Sequence, residues 1–129
     1  MSKVDSRKGF TIAELVVAMA IIFIVSATAI GIINTQNTVH LRTTQTVEAT
    51  NMAENAIECF RYADSVEGFE EAFEMTGITI EGTTDNVKTT FGFEESNMNV
   101  TITIEGTTLT FEAVAKDNGK VILEESYTK

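Results

Sequence analysis

The stretch FTIAELVVAMAIIFIVSATAIGII, from Phe10 to Ile33, is almost wholly apolar, and between Leu15 and Ile33 it holds no charged residue. As a helix this run is about 36 Å long, against a hydrocarbon thickness of roughly 30 Å that about 20 residues cross. The rest of a 129-residue chain is too small to surround such a helix in a soluble core. The run therefore reads as a membrane-spanning helix. Its flanks orient it. Lys3, Arg7 and Lys8 precede it, and the first basic residue after it is Arg42. Positive charge is retained on the cytoplasmic side, which puts the N-terminus inside and the bulk of the chain outside.

The pattern continues in both directions. Met1 to Gly9 is polar, with three basic residues against Asp5, and reads as a leader to be set apart from the fold. Asn34 to Tyr62 contains no glycine or proline. Val39, Val47, Ala53, Ala56, Ile57 and Phe60 recur there at helical spacing. One continuous helix is predicted from about Phe10 to Tyr62, its outer half amphipathic and in need of cover on the apolar face. A second helix is predicted over Val66 to Met75, with Phe69 and Phe73 one turn apart.

Beyond Gly77 the apolar period changes to two. Ile78 and Ile80 alternate with Thr79 and Glu81. Val87, Thr89, Phe91 and Phe93 oppose Lys88, Thr90 and Glu94. Val100, Ile102 and Ile104 oppose Thr101, Thr103 and Glu105, and Leu109, Phe111, Ala113 and Ala115 oppose Thr110, Glu112 and Lys116. Such alternation predicts antiparallel strands with one buried face. Gly106-Thr107 and Asp117-Asn118-Gly119 mark turns, and Val121 to Tyr127 is the predicted last strand. A sheet with one apolar face and a helix with one apolar stripe cover each other. The predicted fold class is α+β: a long N-terminal helix packed on a C-terminal antiparallel sheet.

The residues at the start of the apolar run carry a resemblance. Lys8-Gly9-Phe10-Thr11-Ile12-Ala13-Glu14-Leu15 resembles the signal sequence of type IV prepilins and type II secretion pseudopilins: a basic leader ending in Gly, then Phe, then an apolar run interrupted by one Glu. The resemblance implies cleavage between Gly9 and Phe10 by a prepilin peptidase, N-methylation of Phe10, and an assembly role for Glu14. It divides the chain into a leader (1–9), a transmembrane and assembly helix (10–33) and an extracytoplasmic pilin-like head (34–129). The implied partners are prepilin peptidase, other pilin or pseudopilin subunits and, indirectly, an assembly platform and ATPase. Membrane lipid surrounds the helix before assembly, and an extracellular or periplasmic filament follows.

Physical chemistry supports these roles. Glycine leaves the backbone open to a protease. A carboxylate inside a membrane segment is costly and usually functional. A neighbour's N-terminal amine set against Glu14 at about 4 Å, with an effective dielectric near 20, is worth about 4 kcal/mol before desolvation, and such a pair fixes register more than it adds stability. Thr11-Ile12-Ala13-Glu14 is equally a capping box, in which Glu14 serves its own helix. The two uses are compatible at different stages. Gly31 has two readings, a weak point in the helix or, with Ala27, a small residue for close helix approach.

Charge and composition narrow the remaining classes. Residues 34–129 hold 17 acidic residues against 6 basic ones, the opposite of a phosphate-binding surface, so no nucleic acid partner is expected. Cys59 is the only cysteine, which rules out an intrachain disulfide. His40 lies about 28 Å from Cys59 along a continuous helix, so the two cannot pair within one chain. Cys59 is expected as a buried small residue and His40 as a solvated one. Asp85, Asn86, Asp117 and Asn118 match no calcium-loop spacing and read as turn residues. The sequon Asn99-Val100-Thr101 falls within a predicted strand. No nucleophile elbow, metal cluster or phosphate loop is present, so neither catalysis nor a cofactor is expected. A competing reading takes Ala27-Thr28-Ala29 as a signal-peptidase site. The product would then be a secreted or membrane-anchored non-catalytic binding domain cut after Ala29, at the expense of a long h-region containing Glu14.

Overall fold

Thr11 to Glu14 fixes where the first helix begins. The computed structural model describes residues 11–85 and 87–129. The leader, Gly9, Phe10 and Asn86 lie outside the described residues. Helix α1 (Ile12–Tyr62) is one element of 51 residues, and it passes through Gly31 without a break. A Cβ added at Gly31 would meet nothing within 4 Å. Threonine hydroxyls along α1 turn back onto its own carbonyls. Thr28 bonds Val25 at 2.8 Å, Thr35 bonds Gly31 at 2.9 Å, Thr38 bonds Asn34 at 3.0 Å, Thr46 bonds Arg42 at 2.9 Å and Thr50 bonds Thr46 at 2.8 Å. Polar residues are thereby carried on the helix with their hydroxyls satisfied internally.

The chain divides into two units, Met1–His40 and Leu41–Lys129. In the first, every large apolar side chain from Ile12 to Ile33 is exposed, up to 82% for Ile12 and 80% for Phe23. Helix α1 is long and apolar enough to cross a membrane, with no part of its most apolar window buried within the protein.

The second unit holds the core. Helix α2 (Val66–Glu74) is capped by Ser65, whose Oγ accepts the Gly68 N–H at 3.1 Å. It ends where Gly77 takes a φ of +92°. Five strands follow: β1 (Glu81–Asp85), β2 (Lys88–Glu95), β3 (Met98–Glu105), β4 (Thr108–Ala115) and β5 (Val121–Thr128). They form an antiparallel meander in the order β1-β2-β3-β4-β5. Phe91, Val100, Ile102, Ile104, Leu109, Phe111 and Ala113 line its buried face. Against this face α1 sets Ala49, Met52, Ala53, Ala56 and Phe60, and α2 sets Phe69 and Phe73. Phe69 is the hub. Its ring lies 5.7 Å from Phe73, 5.6 Å from Phe91 and 6.4 Å from Phe60.

Several sequence expectations need correction. Val39 and Val47, placed on the apolar stripe, are 57% and 54% exposed, and Gln45, Ala49 and Met52 are buried instead. The face of α1 against the sheet selects small or flexible side chains that let backbones approach, which β-branched valine does not. Ile78 and Ile80 precede the sheet. Ile80 is buried and Ile78 packs beside it, but the first strand is the following segment, whose five residues are all exposed. Val87, expected to point inward, sits beside the β1–β2 turn and is 73% exposed. The β2–β3 turn went unread. Ser96 and Asn97 both have positive φ, +50° and +62°, the type I′ pattern, built here without glycine.

Edge strand β1 is held by backbone pairing and one close approach. Gly82 lies opposite Phe91, and a Cβ at Gly82 would come within 2.6 Å of that ring. The ring is itself fixed in the core. Gly82→Ala is therefore expected to lower stability by about 1–3 kcal/mol through overpacking, read as a lower urea midpoint. An unchanged midpoint would mean that β1 lifts away without cost.

Candidate functional site

The first turn of α1 is where the sequence motif and the structure meet. Thr11 is the N-cap. Its Oγ1 accepts the Glu14 backbone N–H at 3.3 Å, and Glu14 Oε2 accepts the Thr11 backbone N–H at 2.9 Å and its hydroxyl at 3.2 Å. The first helical bond runs from the Leu15 N–H to the Thr11 carbonyl at 3.1 Å. This is a reciprocal capping box, and it forms because Thr and Glu are three residues apart where the helix leaves four N–H groups unpaired. The carboxylate also sits at the positive end of the helix dipole. Small residues flank it: a shallow hollow is lined by Ala13, Glu14, Val17, Ala18 and Ile21.

Two consequences follow from this geometry. Glu14 is hydrogen-bonded within its own chain, so its charge is partly accommodated before any partner arrives. Its carboxylate is also held at the backbone N–H of Thr11, the first described residue of the motif. Gly9 and Phe10, between which the resemblance implies cleavage, lie outside the described residues.

The other sequence candidates separate in space. His40 is exposed. Cys59 is a free thiol, half-buried at the edge of the core. Burial pushes its pKa up, and neighbouring Glu58 adds to the rise, which disfavours the reactive thiolate. Asp85 closes β1 at one end of the sheet, while Asp117 and Asn118 occupy the β4–β5 turn at the other. There Asn118 Oδ1 accepts the Lys120 N–H at 2.9 Å, the turn chemistry expected of it. Asn99 is exposed on β3. Among the described residues no group of three or more His, Cys, Asp or Glu is placed to hold a metal ion.

One residue was passed over in the sequence. Glu48 lies within the stripe Gln45, Glu48, Ala49, Met52, and its Oε2 is buried without a hydrogen-bond partner in the protein. A carboxylate interrupting an apolar stripe was the available signal.

A family model described as the prokaryotic N-terminal methylation motif matches residues 5–30. No curated protein and no solved structure matches the chain. Residues 5–30 therefore match a type IV prepilin-type methylation motif, carried by a chain whose long N-terminal helix and antiparallel sheet form an α+β, pilin-like arrangement.

Proposed function

We propose that this chain is a non-catalytic structural subunit of a type IV pilus or pseudopilus. It is inserted with its N-terminus inside, cut between Gly9 and Phe10, methylated on Phe10, and assembled through its apolar helix into a filament outside the cytoplasmic membrane. The observation that carries this reading is the bare apolar face of α1 with Glu14 at its lip, directly after the matched motif. A helix exposed on all sides needs lipid or copies of itself. Burial of about 25 cal/mol per Å² of apolar surface is the force that would hold a bundle of such helices. Acidic heads would face outward and keep the polymer soluble.

The processing step is tested by intact-mass and N-terminal analysis of the protein from its native host. A chain beginning at N-methylated Phe10 is expected. A chain beginning at Ile30 would mean ordinary signal-peptidase cleavage and would withdraw the assembly role of Glu14.

The two uses of Glu14 are separable. Glu14→Ala is expected to be processed normally but to reduce filament yield by at least about tenfold, the factor set by roughly 1.4 kcal/mol per contact. Thr11→Ala removes the capping hydroxyl and keeps the carboxylate, and should cost the helix only about 1 kcal/mol. Equal defects in the two variants would reduce Glu14 to a capping residue.

A further inference from the structure

We infer that Asn118 is a self-modifying site: attack by the Gly119 backbone nitrogen removes its side-chain amide and leaves a mixture of aspartate and isoaspartate in the β4–β5 turn. The reaction needs only water, and it stands whether or not the chain polymerises.

Asparagine is thermolabile, and its neighbour decides how fast it reacts. Of the eight asparagines only Asn118 precedes a glycine, which places no side chain in the path of attack. The turn itself requires that glycine. Gly119 has a φ of +65°, in the left-handed region that glycine enters freely, and a Cβ there would meet nothing within 4 Å. Residues 116–120 are all exposed, so water reaches both reacting groups.

The hydrogen bonds poise the reacting atoms. Asn118 Oδ1 accepts the Lys120 N–H at 2.9 Å. That bond folds the carboxamide back over the Asn118–Gly119 peptide, so Cγ faces the Gly119 nitrogen across an incipient five-membered ring. The same donor points at the oxygen on which negative charge develops during attack. One contact opposes the reaction: the Gly119 N–H is bonded to the Ala115 carbonyl at 2.9 Å. It lies in an exposed turn, and such bonds open locally at small cost.

The Gly119 nitrogen gives up its proton to water and bonds to Asn118 Cγ. The Cγ–Nδ2 bond breaks, the amide leaves as ammonia with a proton taken from water, and a succinimide remains. Water then opens that ring. Addition at Cγ restores the ordinary main chain with an aspartate. Addition at the backbone carbonyl carbon routes the main chain through Cβ and Cγ, giving isoaspartate with one extra backbone atom. Nothing is oxidised or reduced.

The other described asparagines are held apart from this chemistry. Four lie in α1, where backbone N–H groups are committed to the helix. Asn97 is exposed in the β2–β3 turn, but it precedes Met98, which is fully buried and paired in β3. Asn99 lies within β3 and precedes Val100, whose β-branched side chain stiffens the chain.

Either product adds a negative charge to residues 34–129, which already hold 17 acidic residues against 6 basic ones. Isoaspartate also lengthens the turn. The bonds that close it, from the Gly119 N–H to the Ala115 carbonyl and from the Ala115 N–H to the Lys120 carbonyl at 2.9 Å, then lose their spacing. Strand β5 pairs with β4 alone, so its first residues loosen. The hairpin thereby carries an irreversible mark of the age of the chain.

The test is to incubate the full chain in detergent at mildly alkaline pH and to follow it by peptide mass analysis that separates aspartate from isoaspartate. Amide loss at Asn118 is expected at least about tenfold faster than at Asn97. Both products should appear, since direct hydrolysis of the amide gives aspartate only. Asn118→Ser keeps an oxygen acceptor in the turn and should abolish the new acidic species on isoelectric focusing. In the isoaspartate fraction, amide hydrogen exchange at Val121 to Leu123 should be faster than in fresh protein. Equal rates at Asn118 and Asn97, aspartate as the only product, or the same acidic species from Asn118→Ser would overturn the site. Unchanged exchange in the isoaspartate fraction would overturn the loosening of β5.

Discussion

Phe69→Ala is expected to lower the unfolding free energy of the Leu41–Lys129 unit by about 3–5 kcal/mol. Phe69 is fully buried and joins three layers at once, touching Phe73 on its own helix, Phe60 on α1 and Phe91 on the sheet. Truncation leaves a cavity that none of these can fill without leaving another partner. Domains of this kind are stable by only about 5–15 kcal/mol, so the loss would consume a large share of the total. Urea unfolding of the full chain in detergent, followed by tyrosine and near-ultraviolet signals, measures it. Val87→Ala is the comparison, because its side chain is mostly exposed and should shift stability by no more than about 0.5 kcal/mol. A loss below about 1 kcal/mol for Phe69→Ala would show that α2 is not anchored through this ring.

Gly9→Val should have an all-or-none effect on processing. The matched motif spans residues 5–30, and the resemblance implies a cut after Gly9. A β-branched residue there restricts the backbone and puts a side chain where a protease must close on the scissile bond. The variant is expected to accumulate as unprocessed chain in the membrane fraction, retaining residues 1–9 and lacking N-methylation, with its Leu41–Lys129 unit folded normally. Mass analysis of the intact chain measures this directly. A variant still trimmed to Phe10 would point to a protease that does not read the glycine. A parent cut elsewhere would sink the assignment before the variant is made.

Much of this architecture was legible because two periodicities are strong. The apolar run ending at Ile33 has no charge after Glu14, and the alternations Val100-Ile102-Ile104 and Leu109-Phe111-Ala113 appear in the structure as the buried rows of β3 and β4. Thr11 and Glu14 were legible as a capping box from spacing alone, and the structure forms it. What escaped had weak local signals. Strand β1 is polar and exposed throughout. It exists because β2 offers a free ladder, and no property of Glu81-Gly82-Thr83-Thr84-Asp85 announces this. Ser96 and Asn97 make their turn without the glycine that usually marks it. Val39 and Val47 misled because hydrophobicity was read without size, whereas the helix–sheet contact selects Ala49, Ala53 and Ala56. Glu48 gains meaning only when the β2–β3 turn is folded beside it.

The threonines of α1 bear on how such a chain could leave a bilayer. A span bounded by sharply polar residues has one preferred depth, because any outward or inward slip strands a polar group or exposes an apolar one. Here Thr28, Thr35 and Thr38 spend their hydroxyls on carbonyls of the same helix, so each is nearly indifferent to whether lipid, water or protein surrounds it. Displacing the helix by one turn, about 5.4 Å, therefore breaks no bond between these hydroxyls and their surroundings. Were α1 to cross a bilayer, the segment from Thr28 to Thr38 at its outer edge would act as a graded sleeve rather than a fixed stop, and resistance to withdrawal would come from the uninterrupted apolar residues between Leu15 and Val25.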